Sequence, residues 1–272
     1  MRLLIKVAGA LLEQEESVQN IARQIVELAK NGHELLIVHG GGKLFTATLA
    51  GMGITSRFVN GLRVTDRETR DVAVMVLGGL LNKRLAAAIS LAGQPAVGIC
   101  ASDAACFLAE PMIHNEVPGG LGYVGYLTGV NLEFLNSLWR AGIVPVASCL
   151  GLGADGELYN INADHMAAAC AEYCHADRLI FLTDVAGVLD GDKVLQAVSG
   201  DEIEDLIRTQ KVSGGMVLKL EASKRALAGG VRQVRIVGGT RPRGLLSAAN
   251  GAKGPGTRVT AMFPRAAAKV AR

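Results

Sequence analysis

The sequence predicts an α/β fold: a three-layer αβα sandwich around a mainly parallel open sheet, with a β-hairpin lid. Short aliphatic runs recur at 3–7, 35–38, 96–99, 143–146, 178–183 and 234–237, as expected of strands buried on both faces. Between them lie stretches with apolar residues three and four apart, the mark of amphipathic helices. A glycine- and proline-bearing segment at 105–128 breaks the alternation and suits hairpins or an irregular lid.

In chain order, the run at 3–7 reads as a first strand. Val18, Ile21, Ile25 and Leu28 then recur at helical spacing until Asn31-Gly32 stops the helix. The strand at 35–38 runs into His39-Gly40-Gly41-Gly42 and a further helical pattern, which is the opening of a βαβ unit. Thr65-x-x-Glu68 has the form of a capping box and precedes a long helix through Val72, Val76, Leu80 and Leu85. After the strand at 96–99 and the lid come a helix at 131–141 and a strand at 143–146. Ala154-Asp155-Gly156-Glu157 is a hairpin turn signal. A helix begins near Asn162-Ala163-Asp164 and the strand at 178–183 follows. Ser199-x-x-Glu202 is a second capping box, and Gly214-Gly215 precedes a helix carrying Leu218, Ala222 and Leu227. No linker or repeat interrupts the chain, so two lobes, 1–175 and 176–272, are expected to share one sheet.

Composition bounds the function. Of 272 residues 34 are glycine and only 11 aromatic, and half are apolar, enough for a large aliphatic core. No uninterrupted apolar run reaches the ~18 residues of a membrane span, and the N-terminus leads straight into a strand, so a cytoplasmic protein is expected. The five cysteines are scattered and odd in number, which argues for reduced thiols. Cys170, Cys174, His165 and His175 lack the turn-borne spacing of a zinc site, and no metal site is expected. The net charge of +3 hides a division: from Ala222 onward there are 11 basic and no acidic residues, against 17 basic and 25 acidic before it. Such a region attracts an anionic ligand or is a solvated face. Its single aromatic, Phe263, offers no stacking platform for nucleic acid.

Several positions could carry chemistry. Gly42-Lys43-Leu44 fails the P-loop pattern, and Gly151-x-Gly153-x-x-Gly156 leads into a hairpin instead of a helix. Three glycines after a buried strand, Gly40 to Gly42, let successive N–H groups approach an anion. Lys6 inside an apolar strand costs several kcal/mol unless paired, so it either faces a cleft or snorkels. Arg63 just before a helix suits a carboxylate or phosphate, although a surface arginine there is commoner. Asn160-Ile161-Asn162-Ala163-Asp164 places two amides and a carboxylate at a helix start, where Asp164 could simply be a cap. Lys219, early in its helix, opposes the helix dipole, as a cation with an anionic partner would.

In this order, 5–9, 38–42, 60–65, 159–164, 182–189 and 214–219 resemble the motifs of the amino-acid kinase family over essentially the whole chain; Asn60-Gly61-Leu62-Arg63-Val64-Thr65 is similar to its acylglutamate branch. The resemblance implies phosphoryl transfer from ATP, with its Mg2+, to the side-chain carboxylate of N-acetyl-L-glutamate in arginine synthesis. It implies that Lys6 and Lys219 stabilise the transferring phosphoryl and that Asp164 orients both, beyond the role of a cap. Gly41, Gly42, Arg63 and Asn160 would bind the substrate. Gly9, Asp184, Val185, Ala186, Gly187, Val188, Leu189, Lys211, Val212 and Ser213 would bind ATP. The basic C-terminal fifth would then attract the nucleotide.

Two departures from the family pattern stand out. Ala8 replaces its first glycine while keeping an N–H, and 101–104 differs from a Ser-Gly-Lys-Asp-Gly loop. With no N-terminal helix of the hexamer-forming type, an arginine-insensitive homodimer paired through the helix after Arg63 is expected. A sister kinase acting on N-succinylglutamate or a carrier-linked glutamate or aminoadipate, and a non-catalytic amino-acid sensor, are the alternatives; retention of both lysines and Asp164 disfavours the sensor.

Overall fold

The computed structural model describes residues 1–114, 120–251 and 254–261. Pro118 and Gly119 of the lid, Phe263, and the basic Lys253, Arg265, Lys269 and Arg272 lie outside the described residues. The first half contains β1 (Arg2–Val7), α1 (Glu15–Lys30), β2 (Glu34–His39), α2 (Gly42–Gly51), β3 (Phe58–Val59), β4 (Leu62–Arg63), α3 (Arg67–Ala73), α4 (Asn82–Leu91), β5 (Ala96–Ile99), β6 (Phe107–Pro111), β7 (Gly125–Val130) and α5 (Leu132–Arg140). The second contains β8 (Val144–Ser148), β9 (Leu150–Gly153), β10 (Leu158–Asn160), α6 (Ala163–Tyr173), β11 (Arg178–Thr183), β12 (Leu189–Asp190), β13 (Lys193–Val194), β14 (Ala197–Ser199), α7 (Gly200–Arg208), α8 (Gly215–Ala228), β15 (Gln233–Gly238), α9 (Gly244–Asn250) and β16 (Thr257–Thr260).

Eight strands form one sheet in the order β14-β16-β15-β11-β1-β2-β8-β5, parallel throughout except between β15 and β16. The pairing of β1 with β11 carries the sheet across residue 175 without a break. Strand alternation splits the core in two. Leu3, Ile5, Leu35, Ile37, Ile180 and Leu182 face α1, α4 and α9; Leu4, Leu36, Val38, Leu179 and Phe181 face α2, α5, α6 and α8. Each such aliphatic side chain withdrawn from water stabilises the fold by ~1.5–3 kcal/mol. A second sheet, β10-β9-β6-β7, forms the hairpin lid, with β9 and β10 joined by the turn expected at 154–157.

Helix ends show where local signals hold. Ser199 and Glu202 make both bonds of a capping box. At the other expected box the cap is Asp66, which accepts from the Thr69 N–H at 2.8 Å. Thr65 is drawn instead into long-range bonds, its N–H to Leu121 O and its carbonyl accepting from the Tyr123 N–H. From Asp66 one helical segment runs over Arg67–Leu91, α3 passing through a π-helical middle, Val74–Leu81, into α4. By length and composition it could cross a membrane, yet half of its apolar window is buried here. The five cysteines are unpaired.

Candidate functional site

Lys6 is the penultimate residue of β1, and alternation turns it to the face covered by α6 and α8. An isolated ammonium there would cost several kcal/mol, and the structure supplies its partner. Lys6 Nζ lies 2.8 Å from Asp164 Oδ1, and Lys219 Nζ lies 3.1 and 2.9 Å from Asp164 Oδ1 and Oδ2. All three side chains are buried. Asp164 is free for this because Asn162 caps α6, its Oδ1 accepting from the N–H groups of Asp164 and His165. Helix α8 brings Lys219 to the cluster, with its ammonium 5.4 Å from the Phe181 ring centroid.

Burial opposes ionisation of Asp164, but the two ammoniums overcome it and hold the carboxyl below its ordinary range. Lys219 is the opposite case: burial first and repulsion by Lys6 second bring it down to about 8, against the pull of Asp164 and Asp184. One carboxylate between two cations leaves the cluster with a net positive charge, which a phosphoryl group would complete.

Beside this cluster the glycine loop closes β2. A Cβ on Gly9 would stand 2.0 Å from Gly42 N, so the two loops meet backbone to backbone. Gly42 also has φ +56°, a left-handed conformation that favours glycine. Gly40 to Gly42, Arg63, Asn160, Asn162, Leu77 and Cys149 line a cavity of ≈ 190 Å³. Arg63 is held there by two rings, its guanidinium carbon 4.7 Å from the Phe45 centroid and 4.5 Å from that of Phe58. It donates to Ser56 Oγ and, at 2.8 Å, to Thr46 Oγ1. Asn160 donates to Thr65 Oγ1 at 3.2 Å. The N–H that Ala8 keeps is committed to Leu182 O at 2.9 Å.

The second group of residues is less convergent. Asp184, Val185 and Ala186 on the loop after β11 are exposed, as is Leu189 at the start of β12, while Gly187 and Val188 are buried. Val188 points into the core and its N–H donates to Thr257 Oγ1 at 2.8 Å. Val212 is likewise in the core, between exposed Lys211 and Ser213. Lys211 pairs with Asp190 at 3.0 Å beside a cavity of ≈ 320 Å³. Direct polar contact with the lysine cluster is absent among these described residues; only Asp184 reaches Lys219 through its field.

Phe45, Thr46, Ser56, Phe58 and the cap role of Asn162 were not foreseen. Asn162 stood within a motif singled out, at the N-cap of its helix. The ring clamp had no local signal, since its parts come from α2, the following loop and β3.

The model of the amino acid kinase family matches residues 1–238. The acetylglutamate kinase of Koribacter versatilis is 51% identical over 248 residues, covering 91% of this chain and 94% of that protein. That of Methanopyrus kandleri is 44% identical over 251 residues, 89% and 96% of the two chains. Among solved structures, N-acetylglutamate synthase from Neisseria gonorrhoeae complexed with coenzyme A and N-acetyl-glutamate aligns with TM-score 0.84 at 24% identity, over 96% of this chain and 60% of that one. Carbamate kinase from Giardia lamblia bound to AMP-PNP aligns with TM-score 0.67 at 15% identity, over 96% and 98%. At these identities both likenesses concern the fold.

Proposed function

The chain belongs to the amino acid kinase family, and we propose that it transfers the terminal phosphoryl group of ATP to the side-chain carboxylate of N-acetyl-L-glutamate. The product is N-acetyl-L-glutamyl 5-phosphate, in arginine biosynthesis. The observation that carries this is the buried Lys6–Asp164–Lys219 cluster beside a cavity holding a fixed arginine; the names of the relatives at 44–51% identity support it.

The nucleophile is an ionised carboxylate, so no general base is needed. A carboxylate oxygen forms a bond to the terminal phosphorus, the bond to the bridging oxygen breaks, and its electron pair leaves on ADP. The difficulty is bringing an anion to a polyanion, and positioning with charge neutralisation answers it. Lys6 and Lys219 stabilise the charge on the transferring group, and Asp164 holds the two ammoniums together. Arg63 grips a substrate carboxylate, Asn160 hydrogen-bonds the substrate, and the N–H groups of Gly9, Gly41 and Gly42 face its oxygens and the phosphate. ATP enters with its magnesium ion against Asp184, Val185, Ala186, Gly187 and Leu189, and Lys211 and Ser213, with Val188 and Val212 supporting by packing. On this reading 1–175 holds the acyl amino acid and 176–272 the nucleotide.

Purified protein, Mg-ATP and hydroxylamine test the reading, because hydroxylamine traps an acyl phosphate as its hydroxamate. N-acetylglutamate is expected to give product well above N-succinylglutamate or a carrier-linked glutamate. Product from one of those acids alone would move the substrate assignment. The exposed apolar Met75 and Leu80 on the helix after Arg63 support pairing of two copies there; Leu80→Glu is expected to give monomers in sedimentation where the parent gives dimers.

A further inference from the structure

Directly before the glycine loop, at the end of β2, His39 is fully buried among residues to which nothing above gives a task. Its ring lies on the α1/α4 side of the sheet, against Asn82 at the start of α4, which is also fully buried. Asn82 Nδ2 is 2.8 Å from Val146 O. A carbonyl only accepts, so that amide nitrogen must be the NH2 group. The same nitrogen lies 3.2 Å from His39 Nε2. Both hydrogens are therefore accounted for only if Nε2 presents its lone pair. The proton of a neutral imidazole is then on Nδ1, which faces Gly40 O at 3.3 Å. Burial independently holds His39 neutral, bringing it down to about 4, with Lys6 adding to the effect and the Gly40 bond opposing it.

The peptide joining Gly40 and Gly41 is trans, like every other peptide described, so its N–H points opposite to its C=O. With Gly40 O held toward the imidazole on one face of the sheet, the Gly41 N–H is aimed at the other, where the Gly40–Gly42 loop lines the cavity. The Gly41 N–H has no hydrogen-bond acceptor among the described residues. Glycine imposes little torsional preference of its own, so three in a row need an outside constraint to hold one peptide orientation.

We infer that His39, locked by Asn82 as the Nδ1–H tautomer, is a positioning residue that orients the Gly40–Gly41 peptide so that the Gly41 N–H faces the reacting oxygens. The task rests on the kinase reading above; the tautomer does not. Asn82 is the first residue of α4, directly after the π-helical turns, and the helix that pairs copies in the proposed dimer thereby also holds the loop.

Two measurements test this. In protein labelled with 15N-histidine, the two-bond proton–nitrogen spectrum is expected to show His39 as the neutral Nδ1–H form, assigned by its disappearance in His39→Asn. An Nε2–H form or an imidazolium at neutral pH overturns the inference, whatever the enzyme does. In the hydroxamate assay, His39→Leu is expected to lower kcat roughly ten- to hundredfold through misplacement of one donor, with KM for ATP little changed. His39→Asn, whose amide nitrogen can stand where Nδ1 stood, recovers most of that loss; His39→Gln, whose nitrogen reaches only the Nε2 position, does not. Asn82→Leu lowers kcat in the parent but adds little to His39→Leu, since the two act through one bond. A merely structural histidine would lower thermal stability equally in the Asn and Gln variants and leave kcat per folded site unmoved, and that result also overturns it. If the parent makes no hydroxamate while the spectrum shows the Nδ1–H form, the substrate reading fails and the tautomer stands.

Discussion

At the scale of single residues the site is governed by where charge is buried. Asp164 between two ammoniums is ionised well below neutral pH, so the titration that matters is that of Lys219, brought down to about 8 by burial and by Lys6. On the proposed mechanism its charged form stabilises the transferring phosphoryl, and losing the proton removes that charge. We therefore expect kcat/KM, which reports the free enzyme, to fall as pH rises through about 8. Lys219→Arg keeps its charge at higher pH and should carry the falling limb upward, at reduced overall rate. A limb that stays in place in that variant would assign it to another group. Lys219→Ala and Lys6→Ala should each lower kcat by about 10²-fold or more while far-UV circular dichroism stays as in the parent; near-normal turnover in either would remove that lysine from the mechanism.

At the scale of elements the glycine loops are positioned by contact more than by torsion. A Cβ on Gly9 would meet the backbone of Gly42 at 2.0 Å, and no flexible side chain is there to yield. Gly9→Ala must push the two loops apart, at a cost of roughly 1–3 kcal/mol, and shifts the N–H groups that the proposed mechanism turns to the phosphate. Strong loss of hydroxamate with a modest fall in Tm is expected. Gly51→Ala, at a helical glycine with open space around it, serves as the control and should leave both unchanged. Equal behaviour of the two variants would mean that the close approach has no functional weight. Gly9 also shows what the chain discloses by itself. The glycine is visible in sequence, and so is the strand before it, because burial on both faces leaves a continuous aliphatic run. That its neighbour is Gly42 is a tertiary fact. The same limit explains the helix starts: the Ser199 box closes through bonds within four residues, whereas Thr65 is claimed by Leu121 and Tyr123 from the lid, and the cap passes to Asp66. Lys6 and Lys219 were legible as oddities, each a cation where the local pattern disfavours one, whereas Asp164 at a helix start fitted an ordinary cap and was marked out only by its motif. The Phe45–Arg63–Phe58 clamp broke no local rule and was invisible for that reason.

At the scale of the whole molecule the uneven charge also has a use within the fold. The C-terminal fifth is basic, yet among the described residues four of its cations face carboxylates from the acidic remainder. Lys224 pairs with Glu204 at 2.5 Å, Arg243 with Glu27 at 2.9 Å, Arg232 with Asp177 at 3.5 Å and Arg225 with Glu172 at 3.8 Å. Three of these acids come from residues before 178, so the charge division partly ties the C-terminal fifth to earlier parts of the chain and leaves less unbalanced field to draw in a nucleotide. Each exposed pair contributes only ~0.2–1 kcal/mol, and at ~0.15 M salt exposed charges are screened beyond ~8 Å. On the proposed mechanism, attraction of ATP then falls mainly to the buried cluster, which salt screens less than an exposed charge. The KM for Mg-ATP is accordingly expected to rise less than about threefold between about 0.05 and 0.5 M salt, while Tm drops by a few degrees as the exposed pairs weaken. A tenfold rise in KM with an unchanged Tm would reverse this assignment and return the basic surface to the capture of the nucleotide.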